Sequence, residues 1–372
     1  MGTSPVRRRT GAAESKGRSR VREQGAGTGE GIAPIGLGAD PAQRWAPLTD
    51  AASAVGRDPV AALGLADRVA DEVPLPGAGD TLGRWSALAT LGATDLAVAR
   101  ALEPHLDAVA ILAEAGREDL ATPGSTWGVF AAEGPGRQPE AAPDDRCRWR
   151  LDGVKPWCSL AGDLTHALVT AWCGDRRGLF GVELLEPAVE VLPGEEWPAH
   201  GLAEIRSTPV RFVEAPAQPV REPDWYLDRD GFAWGGIGVA AIWYGAGVAL
   251  LRRMQRQASE RQLDQVGEML LGRADVALSA ARAVLADSAR AIDEGAADGE
   301  RGATLALRTR QVVHDAVEST LRGAAHGMGP APLTREREHL RRVSDLGVYL
   351  RQHHAERDQA ALGRRVAAEQ PW

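Results

Sequence analysis

The hydrophobic period of this chain changes twice, and that change restricts its fold more than any single motif. From about 49 to 118 the large apolar residues fall three or four positions apart, at Trp85, Leu88 and Leu91 and again at Val98, Leu102, Leu106, Val109 and Leu112. That is the spacing of one helix face. Between about 125 and 220 the pattern turns into short runs: "STWGVFAA", "CRWRLDGVKPW", "HALVTAWC", "RGLFGVELL" and "STPVRFVEA". They are rich in β-branched and aromatic residues and are separated by Gly, Pro and Asp, so they predict strands. In "HALVTAWC", Ala167, Val169, Ala171 and Cys173 share one face, and Asp152-Gly153 predicts a hairpin turn. From about 231 to 365 helical spacing returns in four long blocks, with Gly295 as the expected stop between the middle two. The last block, "REREHLRRVSDLGVYLRQHHAERDQAALG", reads as one helix. The fold class expected is therefore α+β. An N-terminal helical domain (41–122) leads into a small central antiparallel β-barrel or sandwich (123–222) and then a C-terminal four-helix bundle (223–372).

Charge and cysteine usage remove several function classes. Residues 1–30 carry seven Lys/Arg against three Asp/Glu, a net of +4, which leaves −12 for the rest of a chain whose total is −8. Residues 1–40 read as a disordered basic tail without an apolar stretch for secretion. The acidic body makes nucleic acid an unlikely main partner. The three cysteines, Cys147, Cys158 and Cys173, show no close pairing, so neither a disulfide framework nor a zinc ribbon is expected, and a reducing cytoplasm is the natural setting. The most apolar run, "GGIGVAAIWYGAGVALL" (235–251), is too short for a typical span and opens on glycines, so it predicts a buried helix and no membrane. "GAGTGEG" (25–31) and "GGIG" (235–238) lack the preceding strand that a phosphate or dinucleotide loop requires. No metal site is expected.

Three stretches carry a resemblance to the acyl-CoA dehydrogenase superfamily: "WGVFAAEGPG" (127–136), "GVKPWCSLAGDLTHALVTA" (153–171) and "HGMGPAPLTREREHLRRVSDLGVYL" (326–350). The second is the most specific, since it is similar to the family's Trp-Ile-Thr-Asn-Gly strand. The resemblance covers most of 50–365 and implies bound FAD, with FMN as the alternative. It also implies an acyl-CoA or acyl-carrier thioester as substrate, and a homodimer or homotetramer. It places Trp157 against the flavin ring and the Ser159 hydroxyl at flavin N5. The backbone of Ala131 and Ala132 would lie at the pyrimidine edge, Arg261 would reach a neighbour's cofactor, and Gly327 and Gly329 would form a Gly-rich turn that binds the cofactor. The chemistry fits: an aromatic wall stabilises a flat apolar ring, and a preplaced donor favours N5 when it gains electron density.

The chain departs from the family where a dehydrogenase needs a carboxylate to take the substrate α-proton. The two positions that supply it fall near His353 and near Gly235, and neither is acidic. Asp230, Glu356 and Asp358 lie close in sequence without matching. The Phe-Gly that follows the clamp arginine is replaced by Asp264-Gln265, and a glutamine upstream of Gly327 is lost. His353 and His354 are the candidate replacement base, because a histidine can titrate near neutral pH. On a continuous helix Leu340, Val343, Gly347, Leu350 and His354 would share a face, with His353 at its edge. Three functions are compatible with this pattern: an acyl-thioester α,β-dehydrogenase with an unusual base, a reduced-flavin monooxygenase that needs no such base, or a non-catalytic relative. The first is favoured on the resemblance.

Overall fold

The computed structural model describes residues 1–2, 32–38, 42–134, 138–193 and 197–368. All of them except residues 1–2 belong to the compact unit Ile32–Trp372. Most of the basic tail, and the "GAGTGEG" stretch within it, lie outside the described residues.

The N-terminal part of this unit contains helices α1 (Ala46–Ala54), α2 (Pro59–Leu63), α3 (Ala66–Glu72), α4 (Thr81–Thr94) and α5 (Leu96–Ala115). Gly92 and Pro104, breakers by composition, both sit inside helices. The true break is Asp95, whose carboxylate accepts from the N–H groups of Ala97 and Val98 and so caps α5. Buried Arg84 ties α4 to α5 by donating to the Leu106 carbonyl at 2.9 Å.

The chain then forms strands β1 (Trp127–Phe130), β2 (Glu140–Pro143), β3 (Trp149–Ser159), β4 (His166–Cys173), β5 (Arg176–Glu183), β6 (Val189–Val191), β7 (Ser207–Pro216) and β8 (Gln218–Pro219). They make one sheet in the order β6-β7-β3-β2-β4-β5-β8, with β1 pairing β4. The sheet is mixed, because β1 and β2 both run parallel to β4. The hairpin expected at Asp152-Gly153 is absent. β3 runs straight through it, and Gly153 (φ +123°) takes up a register shift against β7. The turn comes earlier, at 144–148, where Asp144 accepts from the backbone N–H groups of Arg146 and Arg148. That is an aspartate making its own turn.

The C-terminal part contains α6 (Trp225–Asp228), α7 (Asp230–Glu260), α8 (Gln265–Asp293), α9 (Gly299–Met328), α10 (Pro330–Arg335), α11 (Arg337–Tyr349) and α12 (Glu356–Ala368). α7 contains the "GGIGVAAIWYGAGVALL" run. It is apolar enough to cross a membrane by length and composition, yet 67% of its most apolar window is buried within the protein. Gly295 (φ +70°) follows α8 as expected. The last expected helix is not continuous. α11 tightens into a 3₁₀ turn at Leu350–Gln352, His353 is extended (φ −79°, ψ 128°), and α12 starts at Glu356. The expected face is also displaced: Leu340 and Gly347 are exposed, whereas His339, Asp345, Leu346 and Tyr349 are buried. Asp345 accounts for the shift. Its carboxylate accepts from Leu202 N–H at 2.7 Å and from Arg57 at 2.9 Å, so a charged residue occupies an inward position.

α5 belongs to both halves of the core. Its first half, from Leu96 to Leu106, packs with α4 and α7 in the main apolar cluster. Its second half contributes Ala108, Ile111 and Leu112 to a second cluster with Trp127, Leu168 and Leu179 of the sheet. Behind it, α4 and α7 cross at glycines. A Cβ on Gly92 would overlap the Ile242 carbonyl, and one on Gly245 would overlap that of Ala89. We expect Gly245→Ala to lower stability by about 1–3 kcal/mol, because the helices must separate. Urea unfolding measures it, and a change within ~0.5 kcal/mol of wild type would refute the close approach as a constraint.

Candidate functional site

Strand β3 ends in a distortion that builds the site. Its pairing with β7 shifts between Lys155, opposite Val210, and Cys158, opposite Thr208, so β3 carries one extra residue. Trp157 (φ +60°) and Leu160 (φ +57°) both occupy the left-handed region. That conformation is unfavourable for a bulky L-residue. The bulge reverses side-chain parity. Cys158 turns into the core, where burial pushes its thiol up to about 12 and keeps it protonated. Trp157 turns outward and is 56% exposed. Ser159 pairs with Ser207 across the strands, and their hydroxyls lie 2.7 Å apart. Gly134 is required beside the indole, because a Cβ there would stand 2.6 Å from Pro156 Cγ and 3.2 Å from Trp157 Nε1.

Trp157, Ser159 and Ser207 open onto a cleft of about 240 Å³. β1 supplies one wall from Trp127 to Phe130, continued by Ala132; Leu160 and Leu164 close another. α5 contributes Arg100, Ala101 and Pro104, and the turn after α11 contributes Gln352. Pro104 has no N–H to give to the Arg100 carbonyl one turn earlier. Arg100 donates to Glu103 at 2.8 Å and lies over the Tyr349 ring. Among the described residues that line the cleft there is no aspartate, glutamate or histidine.

Neither candidate base reaches this cleft. His353 is buried and faces into the bundle, with its ring 4.5 Å from that of His314 and 6.2 Å from that of Trp243. Gln311 donates to Asp315 at 2.8 Å, which turns its carbonyl oxygen toward His353 Nε2 at 2.9 Å and assigns the proton to that nitrogen. Nδ1 lies 3.3 Å from Asp358 without hydrogen-bond geometry. Burial, with His314 and Arg310 adding to it, lowers His353 to about 4. His354 is exposed beside Asp358. The break after α11 causes both placements: it turns Gln352 to the cleft and His353 away from it.

Gly235, the other position where a carboxylate was sought, faces a void of about 10 Å³ between α5 and the start of α7. That is room for one water. Burial raises the carboxyls of Asp107 and Glu103 there, but neither lines the cleft. Ala131 also lies off the cleft lining, its carbonyl bonded to Arg177. Arg261, Gly327 and Gly329 sit where α7 and α9 end, with Gln257 donating to the Gly327 carbonyl at 3.1 Å, and none lines the cleft. Trp225, Trp234 and Trp243, considered as pocket aromatics, do not line it either; the tryptophans that do are Trp127 and Trp157. Sequence reading missed Arg100, Ser207 and Gln352. A proline inside a helical pattern was the one available sign of the first; the others depend on strand register and on a broken helix.

No protein-family model and no curated protein matches the chain. Solved structures do. KijD3 in complex with FMN and dTDP-3-amino-2,3,6-trideoxy-4-keto-3-methyl-D-glucose aligns at 18% identity over 90% of this chain and 96% of its own, with a TM-score of 0.75. Butyryl-CoA dehydrogenase from Megasphaera elsdenii aligns at 18% identity over 78% and 83%, with a TM-score of 0.68. The chain has the acyl-CoA dehydrogenase fold. Nitrososynthase from Micromonospora carbonacea var. africana shares it at 17% identity over 90% and 99%, with a TM-score of 0.70. At these identities the likeness establishes the acyl-CoA dehydrogenase fold and leaves the reaction to be argued from the cleft.

The depressed His353 has a consequence for stability. Its unfolded value is near 6.5, so its contribution is complete above that pH and is lost as pH falls toward about 4. We expect the melting temperature of wild type to fall over that window more steeply than that of His353→Gln. Equal slopes would refute the buried placement.

Proposed function

We propose that the chain is a reduced-flavin-dependent oxygenase that binds FMN or FAD in the cleft and acts on a polar substrate with a nucleophilic nitrogen. The observation that carries this reading is the absence of any carboxylate or histidine among the described lining residues, beside an outward-held indole and a free hydroxyl hydrogen. Dehydrogenation of an acyl thioester needs a base within hydrogen-bond reach of the substrate α-carbon. A nucleophilic amine needs none. Reduced flavin supplies two electrons and two protons to dioxygen, so that one oxygen atom joins the substrate and the other leaves as water.

The residues present suit such a group. Trp157 offers a large apolar face to open space, held there by strained backbone, which is how an unfilled stacking surface is maintained. The Ser159–Ser207 pair has two hydroxyl hydrogens and uses one between them, so the other can serve a ring nitrogen. The cleft volume takes the flavin ring system, and the rest of an FMN or FAD would extend beyond it. Arg100 and Gln352 put a cation and an amide where a fatty chain would want apolar lining. Phe130, Leu160 and Leu164 exclude water from the other side. Similarity to KijD3, whose structure holds FMN and an amino-sugar nucleotide, and to a nitrososynthase supports the same reading. A homodimer or homotetramer belongs to it as well, because Arg261, which the resemblance directs to a neighbour's cofactor, lies away from this cleft.

Three results are expected. The purified chain binds FMN or FAD with a yellow absorbance; with reduced flavin and an amino-sugar nucleotide it consumes oxygen in a substrate-dependent way; and butyryl-CoA leaves its flavin oxidised under anaerobic conditions. Trp157→Ala should weaken flavin binding about 3- to 10-fold, since an aromatic contact is worth ~0.5–1.5 kcal/mol beyond its area. Flavin bleaching by an acyl-CoA would overturn the oxygenase reading in favour of dehydrogenation.

A further inference from the structure

Behind the cleft wall lie two cations that flavin binding and oxygen transfer leave unused. Lys155 is 1% exposed and sits two residues before Trp157. Its ammonium donates to Thr170 Oγ1 at 2.8 Å and to Gln138 Oε1 at 3.4 Å. Neither partner is a carboxylate, and burying a charge on neutral partners is costly. Arg177 donates to the same Thr170 oxygen at 3.2 Å and to the Ala131 carbonyl at 2.5 Å. Its counter-charge is Glu133 at 3.4 Å, whose side chain is 45% exposed.

These bonds converge on one short segment. Residues 131–134 follow β1 and belong to no strand. Arg177 holds the Ala131 carbonyl from behind. Gln138 donates from Nε2 to the Gly134 carbonyl at 3.0 Å, and its other end is held by Lys155. Ala132, between the two anchors, lines the cleft. Segment 131–134 is thus a strap with the cleft in front and two positive charges behind.

We propose that Lys155 and Arg177 are positioning residues that fix this strap against the flavin and favour its reduced, more negative state. The inference rests on the flavin reading. The charged and titratable groups that face Lys155 are consistent with it. Arg177 on β5 repels the ammonium, Glu133 on the strap attracts it from an exposed position, and the Cys158 thiol on the same strand stays protonated. Burial and Arg177 lower Lys155 to about 8, so its charge is present at neutral pH and lost in mild alkali.

The test is a spectroelectrochemical titration of the FMN-loaded full chain from pH 6.5 to 9.5, for wild type and Lys155→Met. A charge of this kind should favour reduced over oxidised flavin about tenfold. Its removal should therefore move the two-electron midpoint ~30 mV more negative at pH 7, and the difference should close as pH rises through about 8. Lys155→Gln drops the charge but keeps a donor for Thr170, so it should show the same shift should Lys155→Met fail to fold. A midpoint and pH profile unchanged in a variant that still binds FMN would overturn the inference alone. A wild-type chain that binds neither FMN nor FAD would overturn the flavin reading before any variant is made.

Discussion

The contact of α4 with α7 is the constraint on which the rest depends. Gly92 and Gly245 let two helix backbones meet where any side chain would collide with a carbonyl. That contact fixes the N-terminal helices against the bundle. It also fixes α5, which follows α4 after the single capping residue Asp95. α5 then joins the main apolar cluster along its first half and the sheet's cluster along its second, and Arg100, Ala101 and Pro104 enter the cleft on it. A bundle alone would have a seam there, and a sheet alone would have an open face. The cleft lies where α5, β1, the end of β3, the start of β7 and the turn after α11 meet.

The second determinant is local strain. A strand of normal parity would bury either Trp157 or Cys158 and leave the other at the surface. The bulge after Lys155 and the left-handed backbone at Trp157 and Leu160 send the thiol inward and the indole out. The backbone cost is of order 1–3 kcal/mol per such residue, and the surrounding sheet sustains it. Among the described residues, none covers the outward indole, which stays 56% exposed.

The same economy explains what the cleft lacks. The break after Tyr349 delivers Gln352 to the cleft and buries His353 away from it, against Gln311, His314 and Trp243. A histidine so placed is neutral at physiological pH and holds the turn in position. Cations in this region lie behind the strap, on Lys155 and Arg177, and on the rim, on Arg100, with Glu133 and Glu103 as the counter-charges of the two arginines. Among the described residues, the cleft lining carries no carboxylate or imidazole that could take a proton.

The sequence alone determined the order of helices, sheet and helices, because the hydrophobic period is a one-dimensional property that each element expresses locally. The resemblance to a known family, not the local pattern, marked Trp157 and Ser159, which the structure brings to one cleft, and the positions near His353 and Gly235 where a carboxylate was sought. The local pattern misread Asp152-Gly153, where the same glycine that permits a turn also permits a bulge and only pairing with β7 chooses between them. It misread the last helix for a related reason: periodicity counts residues but does not see Asp345 drawn inward by Arg57 and Leu202, partners distant in sequence. Arg100, Ser207, Gln352 and the placement of Lys155 and Arg177 behind the 131–134 strap were decided by tertiary structure. Each acts through a neighbour supplied by another element, and such neighbours are set by packing rather than by spacing.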